Sequence, residues 1–155
     1  MPRFVKQRDH YACGPVAIAN AIKALGGRIN YSKTRKVLCT ACRCSPKTGG
    51  TDSFLLMRSL KKFLPIYLSG DITINWRNYP SVSQIRKHVE LKGVVVLTCF
   101  RKGDDEGHFY TIVSSKKNLF TTANDLGKTI VVCRHSALRK KSERHEGWFI
   151  RKKDG

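Results

Sequence analysis

The chain has 155 residues, of which 41% are hydrophobic, so residues 1–155 are expected to form one domain that buries its own core without disulfides. The N-terminal region lacks the apolar stretch of a secretory signal, and no apolar run is long enough to cross a bilayer, which predicts a cytoplasmic protein without a membrane span. Lys and Arg number 30 against 11 Asp and Glu, a formal net charge of +19. This charge favours an anionic partner such as nucleic acid, but the basic residues are spread along the chain, so a generally cationic surface is the preferred interpretation.

The first half of the chain is predicted to be helical. Helix 1 should begin just after Cys13, with Pro15 at its first position, apolar residues at helical spacing, and Gly26-Gly27 as its stop. A second short helix should follow Ser32. The loop CTACRCSPKTGG then leads to a third helix from about Asp52 to Phe63.

The second half is predicted to consist mainly of strands. An extended stretch is expected from Pro65 to Trp76, followed by a helix that Ser81 or Ser83 caps and that runs through Leu91. Strands are then expected at 94–100, 108–114, 119–123, 129–133 and 148–151, with a short basic helix near Ala137 before the last strand. Helices followed by an antiparallel sheet indicate an α+β fold, in which a helix end can face a sheet across a cleft.

Cys13 lies where the polar N-terminal loop QRDHYA turns into the first helix. A thiol at a helix N-terminus is close to unpaired N–H groups and to the positive end of the macrodipole, which lower the pKa of a thiol there and favour the nucleophilic thiolate. Taken alone, however, a free cysteine is more often a small buried hydrophobic residue.

Three other residues complete the requirements of a cysteine nucleophile. His108, in GHFYTIV at the head of a strand, can serve as the base that takes and returns the proton. Asn124, at the end of the next strand, would lie beside His108 in a hairpin and orient its ring. The Gln7 side chain could join the Cys13 backbone N–H in stabilising the oxyanion.

This ordered set, Gln7, Cys13-Gly14-Pro15, Gly107-His108-Phe109 and Asn124-Asp125, resembles the papain-like cysteine peptidases of the bacteriocin-processing type, which cut after double-glycine leaders, and their stand-alone relatives. TGGTDSFLLMRSLKKF is similar to that family's second cleft helix, and SQIRKHVELKGVVVLTCF to the helix and strand before its histidine. The resemblance implies a papain-like fold with an N-terminal helical half packed against a C-terminal antiparallel sheet. It also implies Cys13 as nucleophile, His108 as base and acid, Gln7 in the oxyanion hole, an Asn or Asp orienter, and no cofactor.

The sequence departs from the family at the orienter. The family has an Asp followed by Pro where this chain has Asn124-Asp125-Leu126. Neighbouring residues of a regular strand point to opposite faces, so only one of the two can face the cleft. Asn124 is the preferred orienter and Asp125 the alternative, because Asp125 begins an Asp-Leu-Gly turn in which it can bond to the backbone.

The thiols of CTACRC offer a second, weaker site. Cys39, Cys42 and Cys44 are three soft ligands within a short segment, but a second pair of ligands is missing, so unbridged thiols are preferred over a zinc site. Cys99 lies in an apolar strand and is expected in the core.

Two functions from different classes follow. The first is a cysteine peptidase that hydrolyses a peptide or protein substrate, with cleavage after small residues such as Gly implied by the resemblance; the same residues could also serve other amide chemistry. The second is a catalytically idle, peptidase-like basic protein that binds nucleic acid or packs into an assembly. The second explains the charge of +19, whereas the first explains the spacing of Gln7, Cys13, His108 and Asn124.

Overall fold

Four helices and six strands make up the part of the chain that the computed structural model describes: residues 2–99, 107–125, 128–138 and 144–153, with the backbone alone for Asp125 and Arg144. The helices are α1 (Cys13–Ala24), α2 (Tyr31–Cys42), α3 (Ser53–Tyr67) and α4 (Val82–Glu90). The strands are β1 (Ile72–Asn78), β2 (Val94–Cys99), β3 (His108–Lys116), β4 (Leu119–Asp125), β5 (Lys128–Arg134) and β6 (Arg144–Lys152), with a 3-10 turn at His135–Ala137. The predicted α+β class is confirmed.

The six strands form one antiparallel sheet in the order β1-β6-β2-β3-β4-β5. The last strand in the chain, β6, lies between β1 and β2, where Thr98 of β2 faces Glu146 of β6. On its other side, Thr98 pairs with Phe109 of β3. Residues that are directly opposite one another in neighbouring strands share a face of the sheet, so this row brings together three distant parts of the chain.

Helices cover both faces of the sheet. The first three helices pack on one face, where Val94 and Val96 of β2 join their core, and α4 packs on the other face with Val95 and Leu97. The alternation of side chains therefore buries every residue of β2, which is why this strand is a continuous apolar run rather than an alternating one. The packing of the N-terminal helices against the C-terminal sheet confirms the predicted layering.

Several predicted boundaries were wrong. Helix α1 begins at Cys13, so Pro15 is its third residue and not its first. Proline is tolerated there because the N–H groups of the first turn have no intrahelical partner. Helix α3 was predicted to end at Phe63 but continues through Pro65 to Tyr67, because buried Leu64 and Leu68 extend its apolar face into the core.

The remaining corrections concern capping and strands. Helix α2 begins at Tyr31, where the Asn30 side chain accepts from the N–H of Lys33, and it includes the first four residues of the predicted CTACRC loop. Ser81, rather than Ser83, caps α4, in a capping box with Gln84. The stretch predicted as merely extended contains β1, and the last strand is longer than expected. Residue 100 and the acidic turn expected before His108 lie outside the described residues.

Candidate active site

The Cys13 thiol lies at the first residue of α1 and is buried. No side chain caps this helix end, and the first N–H to bond within the helix is that of Val16, to the carbonyl of Ala12 at 3.1 Å. In an α-helix the N–H groups before that bond have no intrahelical partner. The N–H groups of Cys13 and Gly14 therefore belong to the first turn of the helix, at the positive end of its macrodipole.

Gly14 permits a close approach that fixes the start of α1 against the loop before α3. A Cβ added to Gly14 would lie 2.4 Å from Oγ1 and 2.8 Å from Cβ of Thr51. No side chain fits in that gap, so steric exclusion explains why a glycine follows Cys13. The contact also places Thr51 beside the start of α1.

The imidazole of His108 is positioned at the first residue of β3, where the backbone pairs with Cys99. Its Nε2 lies 2.7 Å from the backbone carbonyl oxygen of Asn124. A carbonyl oxygen only accepts hydrogen bonds, so Nε2 carries the proton, and in the neutral ring Nδ1 is then the unprotonated nitrogen. The structure thus selects the tautomer in which Nδ1 can accept a proton from a thiol.

The packing of α1 on β3 brings the two residues to one edge. The Thr111 hydroxyl of β3 donates to the Ala17 carbonyl of α1 at 3.4 Å, and Phe109 packs in the same core as Cys13 and Ala17. Cys13 begins the helix and His108 begins the strand, each a few residues before this crossing point. The residue before His108 and the residue that contacts Gly14 line one recess, so both elements start on the same side of the molecule.

Asn124 joins His108 to Gln7, but in a different way from the one that the sequence predicts. Its side-chain Oδ1 accepts from the Gln7 backbone N–H at 3.0 Å, and its Nδ2 donates to Gln7 Oε1 at 3.2 Å. The contact that the structure shows with His108 is through the Asn124 backbone carbonyl. Asn124 is therefore placed at the site, with its buried amide directed at Gln7.

Gln7 is held by further contacts of the N-terminal segment. Its Nε2 donates to the Asp9 carbonyl. The buried Asn20 side chain of α1 accepts from the Val5 N–H at 2.7 Å and donates to the Val5 carbonyl at 3.1 Å. These bonds tie the segment before Cys13 to α1 and bring Gln7 to Asn124.

The prediction that only one of Asn124 and Asp125 can face the cleft assumes a regular strand. The strand is irregular there. Asn124 has φ of 62°, a left-handed conformation that asparagine tolerates better than most residues. Such a residue interrupts the alternation of side chains along a strand. The backbone of Asp125 pairs with Lys128, while its side chain and residues 126–127, where a turn is predicted, lie outside the described residues.

The thiols of CTACRC lie around the end of α2. Cys42 is fully buried and donates to the Ser59 hydroxyl at 3.6 Å, and burial raises the pKa of its thiol to about 11. Burial, followed by the neighbouring Cys39, raises the pKa of Cys44 to about 12. Within the described ranges, no group of three His, Cys, Asp or Glu side chains could hold a metal ion. Cys99 is buried, as expected.

A recess of about 350 Å³ lies next to the start of α1 and the start of β3, and no sequence pattern predicts it. Thr51, which contacts Gly14, and Gly107, which precedes His108, both line it, and so do Thr98 and Glu146. The resemblance of the TGGTDS segment to the family's second cleft helix predicts that this segment borders the cleft. Nothing in the sequence near Glu146 predicts a site. Only the pairing of β6 with β2 brings this carboxylate to the cleft.

No protein-family model and no curated protein matches the sequence. Solved structures do. The peptidase domain of Streptococcus ComA, a bi-functional ABC transporter involved in a quorum-sensing pathway, aligns with a TM-score of 0.69 and 15% identity over 99% of this chain and 100% of that domain. A protein from Bacillus anthracis assigned as a C39-like peptidase aligns with a TM-score of 0.66 and 13% identity, over 98% of this chain and 95% of that one.

The chain has the fold of these C39 peptidase domains. The peptidase domain of Streptococcus mutans ComA gives the same result, with a TM-score of 0.60, 15% identity and 96% and 98% of the two chains covered. The papain-like architecture expected from the resemblance is therefore confirmed. At 13% to 15% sequence identity, the likeness establishes the fold and not the chemistry. Separately, none of the helices in the described part of the chain is long and apolar enough to cross a membrane.

Proposed function

We propose that residues 1–155 form a cysteine peptidase domain that hydrolyses a peptide bond, with Cys13 as nucleophile and His108 as general base and acid. The observation that carries the proposal is the hydrogen bond between His108 Nε2 and a carbonyl, which leaves Nδ1 as the proton acceptor at the edge where α1 presents its thiol. The C39 peptidase fold supports the same assignment.

In this mechanism, His108 Nδ1 takes the proton of the Cys13 thiol, and the thiolate attacks the carbonyl carbon of the substrate peptide bond. The backbone N–H of Cys13 and the Gln7 side-chain amide stabilise the resulting oxyanion. Gln7 has two amide hydrogens, one of which it donates to Asp9, so the other is available for this role. The imidazolium then protonates the departing amine, and water, deprotonated by His108, hydrolyses the thioester to a free carboxylic acid.

The orienter in this proposal is Asn124. Its carbonyl holds the His108 ring, and its side chain holds Gln7, so a single residue couples the base to the oxyanion donor. Asp125 is kept as the alternative source of the orienting group. Cleavage after small residues such as Gly is part of the proposal and is based on the resemblance to the double-glycine-leader peptidases.

The decisive experiment combines covalent labelling with peptide hydrolysis. Purified wild type should react with a peptidyl chloromethyl ketone ending in glycine and should release product from a Gly-Gly-containing fluorogenic peptide. Cys13→Ala should lose both while keeping its melting temperature. Cys133→Ser, which changes a half-buried thiol on β5, serves as the matched control and should retain both. Equal labelling of wild type and Cys13→Ala would refute the proposal.

The non-enzymatic alternative has the net charge of +19 as its basis, and neither the fold nor the structural comparisons add support for nucleic-acid association. If the chain binds a polyanion through many lysines and arginines, affinity for a random oligonucleotide should fall steeply with salt. Such binding is compatible with catalysis. The alternative would replace the peptidase proposal only if the folded wild type neither labels at Cys13 nor hydrolyses any peptide.

A further inference from the structure

The recess beside the candidate catalytic pair has the acidic side chain of Glu146 in its lining. Glu146 faces Thr98 in the sheet, and Thr98 faces Phe109, the residue after His108. Cys13 and His108 themselves do not line the recess. It is therefore placed to take a substrate residue that neighbours the cleaved bond, rather than the reacting carbonyl.

Neutral hydrogen-bond donors hold the Glu146 carboxylate in place. The Trp76 indole donates to Oε1 at 3.2 Å, and the Ser53 hydroxyl donates to Oε2. Among the described residues the ion pair present is Arg35 with Asp9, so no described Lys or Arg neutralises Glu146. This is unexpected in a chain with 30 Lys and Arg residues, where a surface carboxylate has many cations available.

Asn78 and His145 also line the recess, and two further residues add hydrogen-bond acceptors. Thr98 is 5% exposed, lines the recess, and has no hydrogen-bond partner for its hydroxyl among the residues that the structure describes. A buried hydroxyl without a partner costs free energy, so its persistence at the wall of a recess indicates a group that arrives with the substrate. Asp52 supplies a second carboxylate at the mouth, where its Oδ1 also caps α3 by accepting from the Leu55 N–H at 2.8 Å.

We propose that this recess binds the basic side chain of a Lys or Arg residue in the substrate, next to the cleaved peptide bond, with Glu146 as its counter-ion. This inference rests on the proposed peptidase function. An ammonium or guanidinium group carries several donors and a positive charge, which complement two carboxylates and the Thr98 hydroxyl. A carboxylate already oriented by Trp76 and Ser53 need not be reorganised when the cation binds.

The kinetic test compares arginine with citrulline, which has nearly the same shape but no charge. A single arginine is moved through the three positions on each side of the cleaved bond in a series of peptides. At one position, arginine should raise kcat/KM about tenfold over citrulline, as expected for a charged hydrogen bond in a partly buried site. Glu146→Gln should abolish this ratio mainly through KM. Glu90→Gln, which makes the same charge change at an exposed residue of α4, should keep it.

Thr98→Val provides a second variant that should fold well, because it removes a hydroxyl that bonds to none of the described residues. It should reduce the preference for arginine a few-fold while leaving the melting temperature equal or higher. A ratio between arginine and citrulline that is unchanged in both Glu146→Gln and Thr98→Val would overturn the proposal.

A binding measurement separates failure of this inference from failure of the peptidase proposal. In Cys13→Ala, the indole N–H resonance of half-exposed Trp76 should shift when N-acetyl-arginine amide is added at millimolar concentration, and not with N-acetyl-citrulline amide. The indole of fully buried Trp148 is the internal control. A shift that Glu146→Gln removes would support the recess even in a protein without hydrolytic activity. If the resonance does not shift, the proposal that the recess binds a basic side chain is overturned, whether or not peptides are cleaved.

Discussion

Cys13 and Cys42 lie at opposite ends of two neighbouring helices that share one core. Cys13 begins α1, where N–H groups point outward and the macrodipole is positive, whereas Cys42 ends α2, where carbonyls point outward and the macrodipole is negative. Cys42 and Cys13 share the same apolar cluster. In the proposed peptidase, burial does not separate the two thiols, because both are buried, and the polarity of the helix end and a neighbouring base would make Cys13 the reactive one.

The largest expected effect is a difference in alkylation rate between Cys13 and the cysteines around the end of α2, Cys42 and Cys44. With a pKa of about 11, Cys42 has a thiolate fraction of only about 10⁻³ at pH 8, and Cys44 has less. We therefore expect iodoacetamide to modify Cys13 at least 100-fold faster than Cys42, as measured by peptide mass spectrometry over a time course. Equal rates in the folded protein would remove the distinction between the two helix ends.

Gly14→Ala should disturb the N-terminus of α1 strongly. The added methyl would overlap Thr51, so the helix start or the loop must move, at a cost of about 1–3 kcal/mol in unfolding free energy. Activity should fall more than tenfold because the thiol and the N–H groups move with the helix end. Gly50→Ala is the matched control, since its nearest neighbour is the Tyr11 carbonyl at 4.0 Å. Similar melting temperatures and rates for the two variants would contradict the steric argument.

Asn124→Ala should lower the rate substantially, by about tenfold, and Asp125→Ala much less. The alanine removes both side-chain bonds to Gln7 and must adopt φ of 62°, which favours asparagine over alanine. The measurement is kcat/KM on proteins with melting temperatures determined in parallel. The reverse ranking would assign the orienting role to Asp125.

Gln7→Ala tests the link between Asn124 and the oxyanion donor. If Asn124 acts through the Gln7 side chain, the double variant should be little slower than the slower single variant, because each substitution removes the bond from Asn124 Nδ2 to Gln7 Oε1. Fully additive losses would mean that the two side chains act independently.

The smallest expected effect is that of chelation. We expect EDTA or a thiol-compatible zinc chelator to leave the melting temperature and the hydrolysis rate nearly unchanged. A structural zinc contributes directly to folding, so a large drop in melting temperature, or one equivalent of zinc in the purified protein, would assign Cys39, Cys42 and Cys44 to a metal site.

Local pattern was enough to predict the α+β class and the position of the thiol at a helix start. Helix periodicity, the Cys-Gly-Pro stretch and the strand that begins at His108 are local features of the chain, and they predict which elements present Cys13 and His108. Boundaries were less accurate where packing overrides local preference, as at Pro65, where the buried face of α3 keeps the helix intact for two further residues.

The tertiary structure decided how these residues are connected. Whether Asn124 presents its amide or its carbonyl to His108 depends on a left-handed φ near the end of β4, which strand propensity does not reveal. The position of Glu146 in the recess depends on β6 inserting between β2 and β1, a long-range pairing without a local signal. Sequence patterns report the faces of single elements, whereas contacts between distant elements depend on strand register, and a shift of one residue would turn Glu146 to the opposite face of the sheet.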